Sequence, residues 1–388
     1  MKGHIRSRGK NTWAIILDVG TSPEGKRKQR WVTVHGKKKD ADKELARLLH
    51  ELNTGNYVEP SKMTLKEYLE RWLQDYAKPK VVGTTYERYE EIVRVHLTPA
   101  LGHLLLSKLQ PLDIQSYYSW ALQNGRKDGR GGLAAQTVLH HHRVLRQALK
   151  HAVRWQLVSR NPADAVEPPR PFRKEMRVLD ASQNTQLEEA ARGTHLYMPI
   201  LLALATGMRR GELLAVRWHD VNLEAGKLAV RRALQQTSEG LTFKEPKTSK
   251  SRRVIDLPAT VVEKLQLHRA EQMRQRELLG TVLQDDDLVC AYPDGKPIQP
   301  DNLYTAFKTI LRRAGLPEVR LHDLRHGQAT MLLQLGVHPK VVSERLGHAT
   351  IGITLDLYSH VLPSMQEEAA KKLDVALWGS RETTTSAG

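Results

Sequence analysis

Four prolines stand within residues 159–174, SRNPADAVEPPRPFRK, and they divide the chain more clearly than any other stretch. Proline lacks a backbone N–H and disfavours helix at the residue before it, so this stretch is expected to run extended as a linker. A chain of 388 residues is also too long for one typical core. We therefore expect a multidomain protein whose main boundary lies here.

The first part of the chain, residues 1–58, has the pattern of a small sheet followed by one helix. Apolar residues at 13–19 and 30–34 predict strands, and residues 39–52 have helical periodicity. The many cations suit a sheet that lies in a DNA groove, although a solvated basic surface has the same pattern. The candidates for DNA contact are Lys10, Lys26, Arg27, Lys28 and Arg30.

Residues 59–168 are predicted to be helical, because apolar residues recur at helical spacing. Residues 137–155 form a long basic amphipathic helix, on which Arg143 and Arg146 are further candidates for DNA contact. Three adjacent histidines at 140–142 suggest a metal site, but neighbouring helical positions diverge by about 100° and do not converge on one ion. We expect these histidines to contact phosphate or solvent, and we expect no metal.

The charge of the chain indicates a polyanionic partner, because Lys and Arg release counterions when they neutralise phosphates. The formal net charge is +17 and the isoelectric point is near 9.8. Nucleic acid is the first interpretation, since the longest apolar run, residues 198–205, is far shorter than the roughly 20 residues that span a bilayer. The N-terminus has no signal-peptide pattern, and the single Cys290 excludes an internal disulfide and a cysteine-based zinc site. We expect a cytosolic protein with Cys290 in its core.

Beyond the proline-rich stretch, an apolar helix is predicted at 196–205 and ends at Thr206-Gly207. Arg209 then opens a new helix, and a helix N-terminus already favours anions. Arg210 is the competing candidate.

Three short strands are predicted after this helix, at residues 227–234, 241–243 and 253–257. The turn EPKTSKSRR before the last strand projects Lys247 from a hairpin tip. Taken alone, Lys247 would be interpreted as an ordinary surface lysine.

In the last third of the chain, histidine and arginine residues precede one tyrosine. His322 and Arg325 are three residues apart in a helical pattern and share one face. A second helix ends at Gly347, which is followed by His348 and then by Tyr358. Each residue alone has an ordinary structural interpretation. Together they supply what phosphoryl transfer needs: fixed positive charge, proton-transfer groups and a nucleophile.

Five short motifs occur in a fixed order: TGMRRGEL at 206–213, PKT at 246–248, HDLRH at 322–326, LGH at 346–348 and YSH at 358–360. With this set the chain resembles the tyrosine recombinases, specifically the phage-type integrases, over nearly its whole length. The resemblance implies a site-specific DNA recombinase that integrates or excises a mobile element such as a prophage or transposon. It also implies that neither ATP nor a metal or other cofactor is needed.

The resemblance assigns a role to each charged residue of the motifs. Arg209 and Arg325 match the two arginines that clamp the scissile phosphate, which suits their permanent charge and bidentate fork. His322 and His348 match positions that hydrogen-bond this phosphate and help to position and deprotonate the nucleophile.

The remaining two roles fall on the hairpin and on the tyrosine. Lys247 matches the general acid that protonates the departing 5′ hydroxyl. Tyr358 matches the nucleophile that forms a 3′-phosphotyrosyl link, which conserves the phosphodiester energy so that the strands can rejoin. All six positions agree with the family pattern.

The resemblance further implies a fold class and a division of the chain. A small β-sheet plus helix module would bind arm-type DNA (1–58), an all-α domain would bind core DNA (59–168), and a mixed α/β, mainly helical catalytic domain (169–375) would precede a C-terminal tail (376–388). The implied partners are double-stranded DNA at core and arm sites, three further copies in a homotetramer, a DNA-bending host protein and an excisionase. No membrane is implied, and the expected location is the nucleoid in the cytoplasm of a bacterial host.

Three alternatives stay open on the sequence. A chromosome-dimer-resolving recombinase would not need residues 1–58. A type IB topoisomerase-like enzyme shares the cleavage chemistry but would not need two specific sites. A DNA-binding regulator without enzymatic activity would have lost the chemistry, against which the intact Tyr358, Arg209 and Arg325 argue.

Overall fold

A computed structural model describes residues 3–21, 27–53, 62–172, 177–245, 252–358 and 364–379, with backbone only at 19–21, 27–28, 356–358 and 364–369. The chain forms two compact units, Met1–Arg173 and Lys174–Gly388. The division falls inside the proline-rich stretch. Within the described ranges, every helix is too short or too polar to span a lipid bilayer.

The N-terminal part is a three-stranded antiparallel sheet covered on one side by a helix. Its elements are β1 (Gly3–Gly9), β2 (Thr12–Thr21), β3 (Arg27–His35) and α1 (Lys38–Asn53), with β2 in the centre of the sheet. Ile15 and Leu17 of β2 pack against Leu48 and Leu52 of α1. The sequence predicted β2, β3 and α1 but missed β1, because Ile5 is its one apolar side chain among polar and basic ones.

The rest of the first unit is helical. Its elements are α2 (Leu65–Trp72), α3 (Lys78–Lys80), α4 (Gly83–Ile92), α5 (Thr98–Leu101), α6 (Pro111–Asn124) and α7 (Ala135–Arg154). Single π-helical turns, Leu73–Ala77 and Val93–Leu97, join α2 to α3 and α4 to α5, and a 3₁₀ turn occupies Leu106–Lys108. A capping box fixes the start of α2, where the Thr64 side chain accepts from the backbone of Glu67 and the Glu67 carboxylate accepts from the Thr64 N–H.

The beginning of the proline-rich stretch is not an extended linker. Pro162–Ala165 form a 3₁₀ helix in which Pro162 and Ala163 are buried. The Arg146 Nε donates to Asp164 Oδ1 at 2.6 Å, and Asn161 Nδ2 donates to the Arg146 carbonyl at 3.1 Å. The linker prediction was wrong here because the apolar residues between the prolines are buried against the helical core.

The prediction was also wrong for two of the three adjacent histidines. His141 and His142 of α7 are buried, and each ring Nδ1 lies 2.8 Å from a tyrosine hydroxyl of α6, that of Tyr117 and that of Tyr118 respectively. Burial lowers the pKa of His141 to about 3. These rings therefore link α6 to α7 as neutral hydrogen-bonding groups and do not contact phosphate or solvent.

The second unit is mixed α/β. Its helices are α8 (Ala181–Ala191), α9 (Tyr197–Thr206), α10 (Arg210–Leu213), α11 (Ala259–Leu278), α12 (Pro300–Arg313), α13 (Leu321–Gln334), α14 (Pro339–Leu346), α15 (Ile351–Tyr358) and α16 (Ser364–Trp378). Its strands are β4 (Val221–Asn222), β5 (Lys227–Val230), β6 (Ala233–Thr237), β7 (Gly240–Lys244) and β8 (Arg253–Asp256). A 3₁₀ turn, Trp218–Asp220, precedes β4.

These strands form two separate antiparallel sheets, β4-β5-β8 and the hairpin β6-β7. The single strand predicted at 227–234 is therefore two strands in two sheets. The break falls at Arg231 and Arg232, where the Arg232 Nε donates to the Ala215 carbonyl at 2.9 Å and its guanidinium lies 4.5 Å from the Phe243 ring centre. These side-chain bonds redirect the chain, which the alternation of residues could not reveal.

The core of the second unit surrounds α9, which is apolar on every face. Helix α13 packs directly against α9, and α14 continues from α13. Cys290 is buried in the same core, as the sequence predicted. The ends of α9, α13 and α14 meet at the site described next.

Candidate active site

The turn after α9 is the foundation of the site. Gly207 ends α9 in the left-handed region at φ +61°, where glycine avoids the strain that a side chain would cause. Its carbonyl accepts a 2.7 Å hydrogen bond from Arg325 Nη1. The Gln328 Nε2 donates to the Ala205 carbonyl at 2.8 Å. Helix α13 is thus tied to the turn that precedes Arg209.

Arg209 is the N-cap of α10, at the helix start that the sequence predicted. Its backbone N–H and its Nη1 both donate to the Glu212 carboxylate, at 3.1 and 2.8 Å, and its Nη2 donates to the Gly347 carbonyl at 2.9 Å. The side chain of Arg209 is 41% exposed, whereas that of Glu212 is 6% exposed. The buried Glu212 carboxylate and the Gly347 carbonyl therefore fix the orientation of the Arg209 guanidinium, while part of the side chain faces solvent.

Arg210, the competing candidate, lies outside this arrangement. Its Nη1 donates to the Pro300 carbonyl at 3.2 Å and lies 3.9 Å from Asp301. Its contacts are therefore with the start of α12.

Helix α13 carries the HDLRH motif. Arg325 is 3% exposed, and His326 is also buried with its ring centre 4.9 Å from that of His322 in an edge-to-face arrangement. His322 is an exposed residue as a whole. Partial burial of its ring nevertheless lowers the pKa of His322, and the charge of Arg325 lowers it further.

Helix α14 ends where the sequence predicted, with Gly347 in the left-handed region at φ +68°. His348 follows, and its Nδ1 lies 2.7 Å from the Thr354 hydroxyl of α15. Burial, followed by the positive charges of Arg325 and Arg209, lowers the pKa of His348 to about 4. The imidazole is therefore neutral at pH 7.

Two predicted residues are only partly described or not described. Tyr358 is the last residue of α15, one helical turn after Thr354, and its side chain lies outside the described residues. Lys247 lies outside them entirely. The structure thus brings Arg209, Arg325 and His348 together, with His322 on the same helix as Arg325.

Two buried residues at the site were missed by the sequence analysis. Glu212 bonds to Arg209 as described, and Arg253, at the start of β8, donates from Nη2 to Glu212 at 2.8 Å and from Nε to the Arg345 carbonyl at 2.7 Å. Burial alone would raise the pKa of the Glu212 carboxyl, but hydrogen bonds and charges from Arg253 and Arg209 outweigh burial and lower it. The Arg-x-x-Glu spacing of a capping box was the available signal for Glu212, whereas nothing in the sequence distinguished Arg253 from its neighbours.

The candidates for DNA contact have mixed outcomes. Lys10 and Arg143 are exposed, while Arg146 is paired with Asp164. The register of the N-terminal sheet puts Arg30 opposite Leu17 on the face covered by α1. Lys26 lies outside the described residues, as do the side chains of Arg27 and Lys28.

The face of the same sheet opposite α1 holds residues that the sequence analysis did not choose. Ala14 of β2 lies opposite Arg6 of β1 on one side and opposite Thr33 of β3 on the other. Because side chains alternate along a strand, these three residues point away from the face that packs against α1. The Arg8 guanidinium lies 5.3 Å from the ring centre of Trp31, which is 48% exposed. The alternation Ile5-Arg6-Ser7-Arg8 was the missed signal.

Two protein families match the chain. The phage integrase family matches residues 176–365, and the N-terminal SAM-like domain of phage integrases matches residues 64–120. A tyrosine recombinase XerC-like protein of Caldanaerobacter subterraneus subsp. tengcongensis is 29% identical and covers 96% of this chain and 98% of its own length. An integrase of Saccharopolyspora erythraea is 27% identical over 95% of each chain.

Solved structures match the fold of the chain. The integrase of transposon Tn1549 in complex with a circular intermediate DNA has a TM-score of 0.68 at 20% identity, covering 80% of this chain and 99% of that one. A lambda integrase dimer bound to a COC′ core site has a TM-score of 0.57 at 17% identity, covering 91% and 94%. A lambda integrase tetramer bound to a Holliday junction has a TM-score of 0.53 at 19% identity, covering 89% and 95%.

Proposed function

We propose that this chain, which belongs to the phage integrase family of tyrosine recombinases, is a site-specific DNA recombinase. It would integrate or excise a mobile element through the site built on Arg209, Arg325 and His348. The observation that carries this proposal is the attachment of both arginines to the ends of α9 and α14, Arg325 through the Gly207 carbonyl and Arg209 through the Gly347 carbonyl. Two guanidinium groups fixed in this way suit one phosphate bound between them.

The two arginines stabilise the negative charge that develops on the scissile phosphate. As the nucleophile approaches the scissile phosphorus, negative charge grows on the non-bridging oxygens. Arg209 and Arg325 stabilise this charge without reorganising, because backbone carbonyls and Glu212 already hold them. Glu212 offsets part of the positive charge of Arg209, but Arg253 shares that carboxylate. The cluster therefore keeps the excess positive charge that a phosphate needs.

The tyrosine and the proton-transfer groups complete the reaction. The phenolic oxygen of Tyr358 attacks the phosphorus and forms the 3′-phosphotyrosyl bond, while the bond from phosphorus to the 5′ oxygen breaks. A neutral histidine, His348 or His322, accepts the tyrosine proton, and Lys247 gives a proton to the departing 5′ oxygen. A 5′ hydroxyl from the partner strand then attacks the phosphotyrosyl phosphorus and releases Tyr358.

The three parts of the chain divide the DNA contacts. Residues 59–168 and 169–375 bind core sites, and residues 1–58 bind arm sites through the sheet face opposite α1, which holds Arg6, Arg8 and Trp31. The exposed guanidinium and indole side chains on this face support the arm-site assignment. Residues 376–388 are a C-terminal tail.

The assembly follows from the family. The lambda integrase forms a tetramer on a Holliday junction, and this chain assembles as a homotetramer on two duplexes in the same way. A DNA-bending host protein and an excisionase would set the direction of recombination. The protein would act in the cytoplasm of a bacterial host, at the nucleoid.

A plasmid assay separates the recombinase from a topoisomerase-like enzyme. We expect a supercoiled plasmid with two attachment sites to be resolved into two circles, and a plasmid without sites to stay supercoiled, when the protein is added without ATP or metal. Relaxation of both plasmids at equal rates, without resolution, would assign a topoisomerase-like activity instead.

A further inference from the structure

Two arginines, one carboxylate and the end of one helix form a closed ring of hydrogen bonds in the second unit. Arg209 and Arg253 donate to opposite oxygens of Glu212, each at 2.8 Å. Arg209 also donates to the Gly347 carbonyl at 2.9 Å, and Arg253 donates to the Arg345 carbonyl at 2.7 Å. The ring therefore closes through the last turn of α14.

The two arginines of this ring differ in exposure. The Arg253 side chain is 6% exposed, as is that of Glu212, whereas the Arg209 side chain is 41% exposed. A Cβ added at Gly347 would lie 2.9 Å from Arg253 Nη1, so the buried guanidinium lies directly against this glycine. The Arg253 guanidinium is therefore enclosed by its hydrogen-bond partners, whereas part of the Arg209 side chain faces solvent.

Arg253 also connects the ring to the elements that hold other residues of the site. Arg253 is the first residue of β8, and its bond to Glu212 links this strand to α10. Its bond to the Arg345 carbonyl and its contact with Gly347 fix the corner from which His348 projects. The Arg253 side chain thus contacts residues that hold Arg209 and His348, two of the residues assigned to the reaction.

We propose that Arg253 is a positioning residue for DNA strand cleavage. Arg253 neutralises Glu212 from the buried side, so that the positive charge of Arg209 stays uncompensated and acts on the scissile phosphate. This inference rests on the proposed recombinase function. The ring carries two positive charges and one negative charge. Without Arg253, Glu212 pairs with Arg209 alone, and the charge that Arg209 offers to a phosphate is cancelled nearby.

The test is a charge rescue. Arg253→Met removes the cation and keeps the apolar stem, and Arg253→Met with Glu212→Gln also removes the carboxylate while keeping an oxygen that accepts from Arg209. The readout is the rate of covalent adduct formation on a nicked duplex, with DNA binding measured on a native gel and folding by circular dichroism. We expect Arg253→Met to slow the adduct about 10²-fold with binding nearly unchanged, and the double variant to recover about tenfold.

Control variants separate this role from a purely structural one. Arg217 is another mostly buried arginine of this unit, bonded to Asp220 and Asp286. Arg217→Met should therefore lower thermal stability without slowing adduct formation below its melting temperature. Arg253→Lys keeps the charge but reaches the carboxylate and the Arg345 carbonyl less well than a guanidinium, so we expect an intermediate rate and normal folding even if Arg253→Met does not fold.

The outcomes decide between the explanations. A double variant that is no faster than Arg253→Met, or an Arg253→Lys variant that folds but is as slow as Arg253→Met, would overturn the positioning role. Wild-type protein that binds the duplex but forms no adduct would contradict the proposed function itself, independently of Arg253.

Discussion

Arg209 and Gly347 are 138 residues apart in the sequence, yet the Arg209 Nη2 donates a 2.9 Å hydrogen bond to the Gly347 carbonyl. This bond joins the beginning of α10 to the end of α14, next to His348. The guanidinium is held by this carbonyl and by Glu212 before any DNA arrives. Its orientation is therefore a property of the folded chain, and its effect on catalysis can be tested by substitution.

Replacement of Arg209 by alanine should impair cleavage much more than DNA binding. A fixed donor to developing negative charge typically contributes about 10²–10³-fold in rate, so we expect adduct formation to fall by that factor while the Kd for core DNA rises less than about tenfold. Arg210→Ala is the matched control, since Arg210 contacts α12 instead of the cluster. Equal losses of binding and cleavage in Arg209→Ala would make Arg209 a docking residue.

Gly207→Ala should destabilise the second unit. An alanine Cβ would lie 2.2 Å from Gln328 Oε1 in a backbone conformation at φ +61°, so both a clash and strain oppose it. Strain alone costs about 1–2 kcal/mol. Gly193→Ala has the strain at φ +71° but no atom within 4 Å of the added Cβ. We expect Gly207→Ala to lose more free energy of unfolding in urea than Gly193→Ala, and equal losses would show that the contact with Gln328 is unimportant.

Acid should destabilise the helical part of the first unit through His141. The pKa of this buried histidine is about 3, below its ordinary value of 6.5, so the unfolded chain binds the proton first as the pH falls. Stability should therefore drop between about pH 6.5 and pH 3, by at most about 1.4 kcal/mol per pH unit for this group. His141→Gln should flatten the pH dependence of urea unfolding, whereas replacing the exposed His103 should not. An unchanged slope in His141→Gln would contradict this account.

Substitutions on the face of the N-terminal sheet opposite α1 should weaken the binding of arm-site DNA only. Because Arg6 and Arg8 are cations on this face, we expect Arg6→Ala with Arg8→Ala to weaken arm-site binding about tenfold or more and to reduce its salt dependence. Core-site cleavage should be unchanged. Arg47→Ala, which removes a cation paired with Glu44 and Glu51 on α1, should leave arm binding intact. If Arg47→Ala weakens arm-site binding as much as the Arg6→Ala, Arg8→Ala double variant does, the overall charge explains the binding and the position of the cations on this face does not.

The sequence predicted those parts of the site that depend on local pattern. The ends of α9 and α14 follow from glycines that favour the left-handed conformation, and the spacing of His322 and Arg325 follows from the period of a helix. The roles of Tyr358 and Lys247 came from the family resemblance.

The parts that the sequence could not predict depend on contacts between distant residues. Arg253 is one of two adjacent arginines, and only the fold shows that it reaches Glu212 and the Arg345 carbonyl. His141 and His142 were expected to contact phosphate or solvent, yet the hydroxyls of two adjacent tyrosines on α6 lie within hydrogen-bond distance of their rings. Pro162 belongs to a packed 3₁₀ turn because apolar neighbours are buried with it.

The central claim is that Tyr358 forms a covalent bond to DNA. The direct measurement incubates wild-type protein and Tyr358→Phe with a nicked duplex that traps the cleaved intermediate, without metal or ATP, and separates the products on a denaturing gel. We predict a protein–DNA adduct with wild type and none with Tyr358→Phe, although both shift the duplex equally on a native gel. An adduct with Tyr358→Phe would mean another nucleophile, and its absence from wild type despite normal binding would contradict the recombinase assignment.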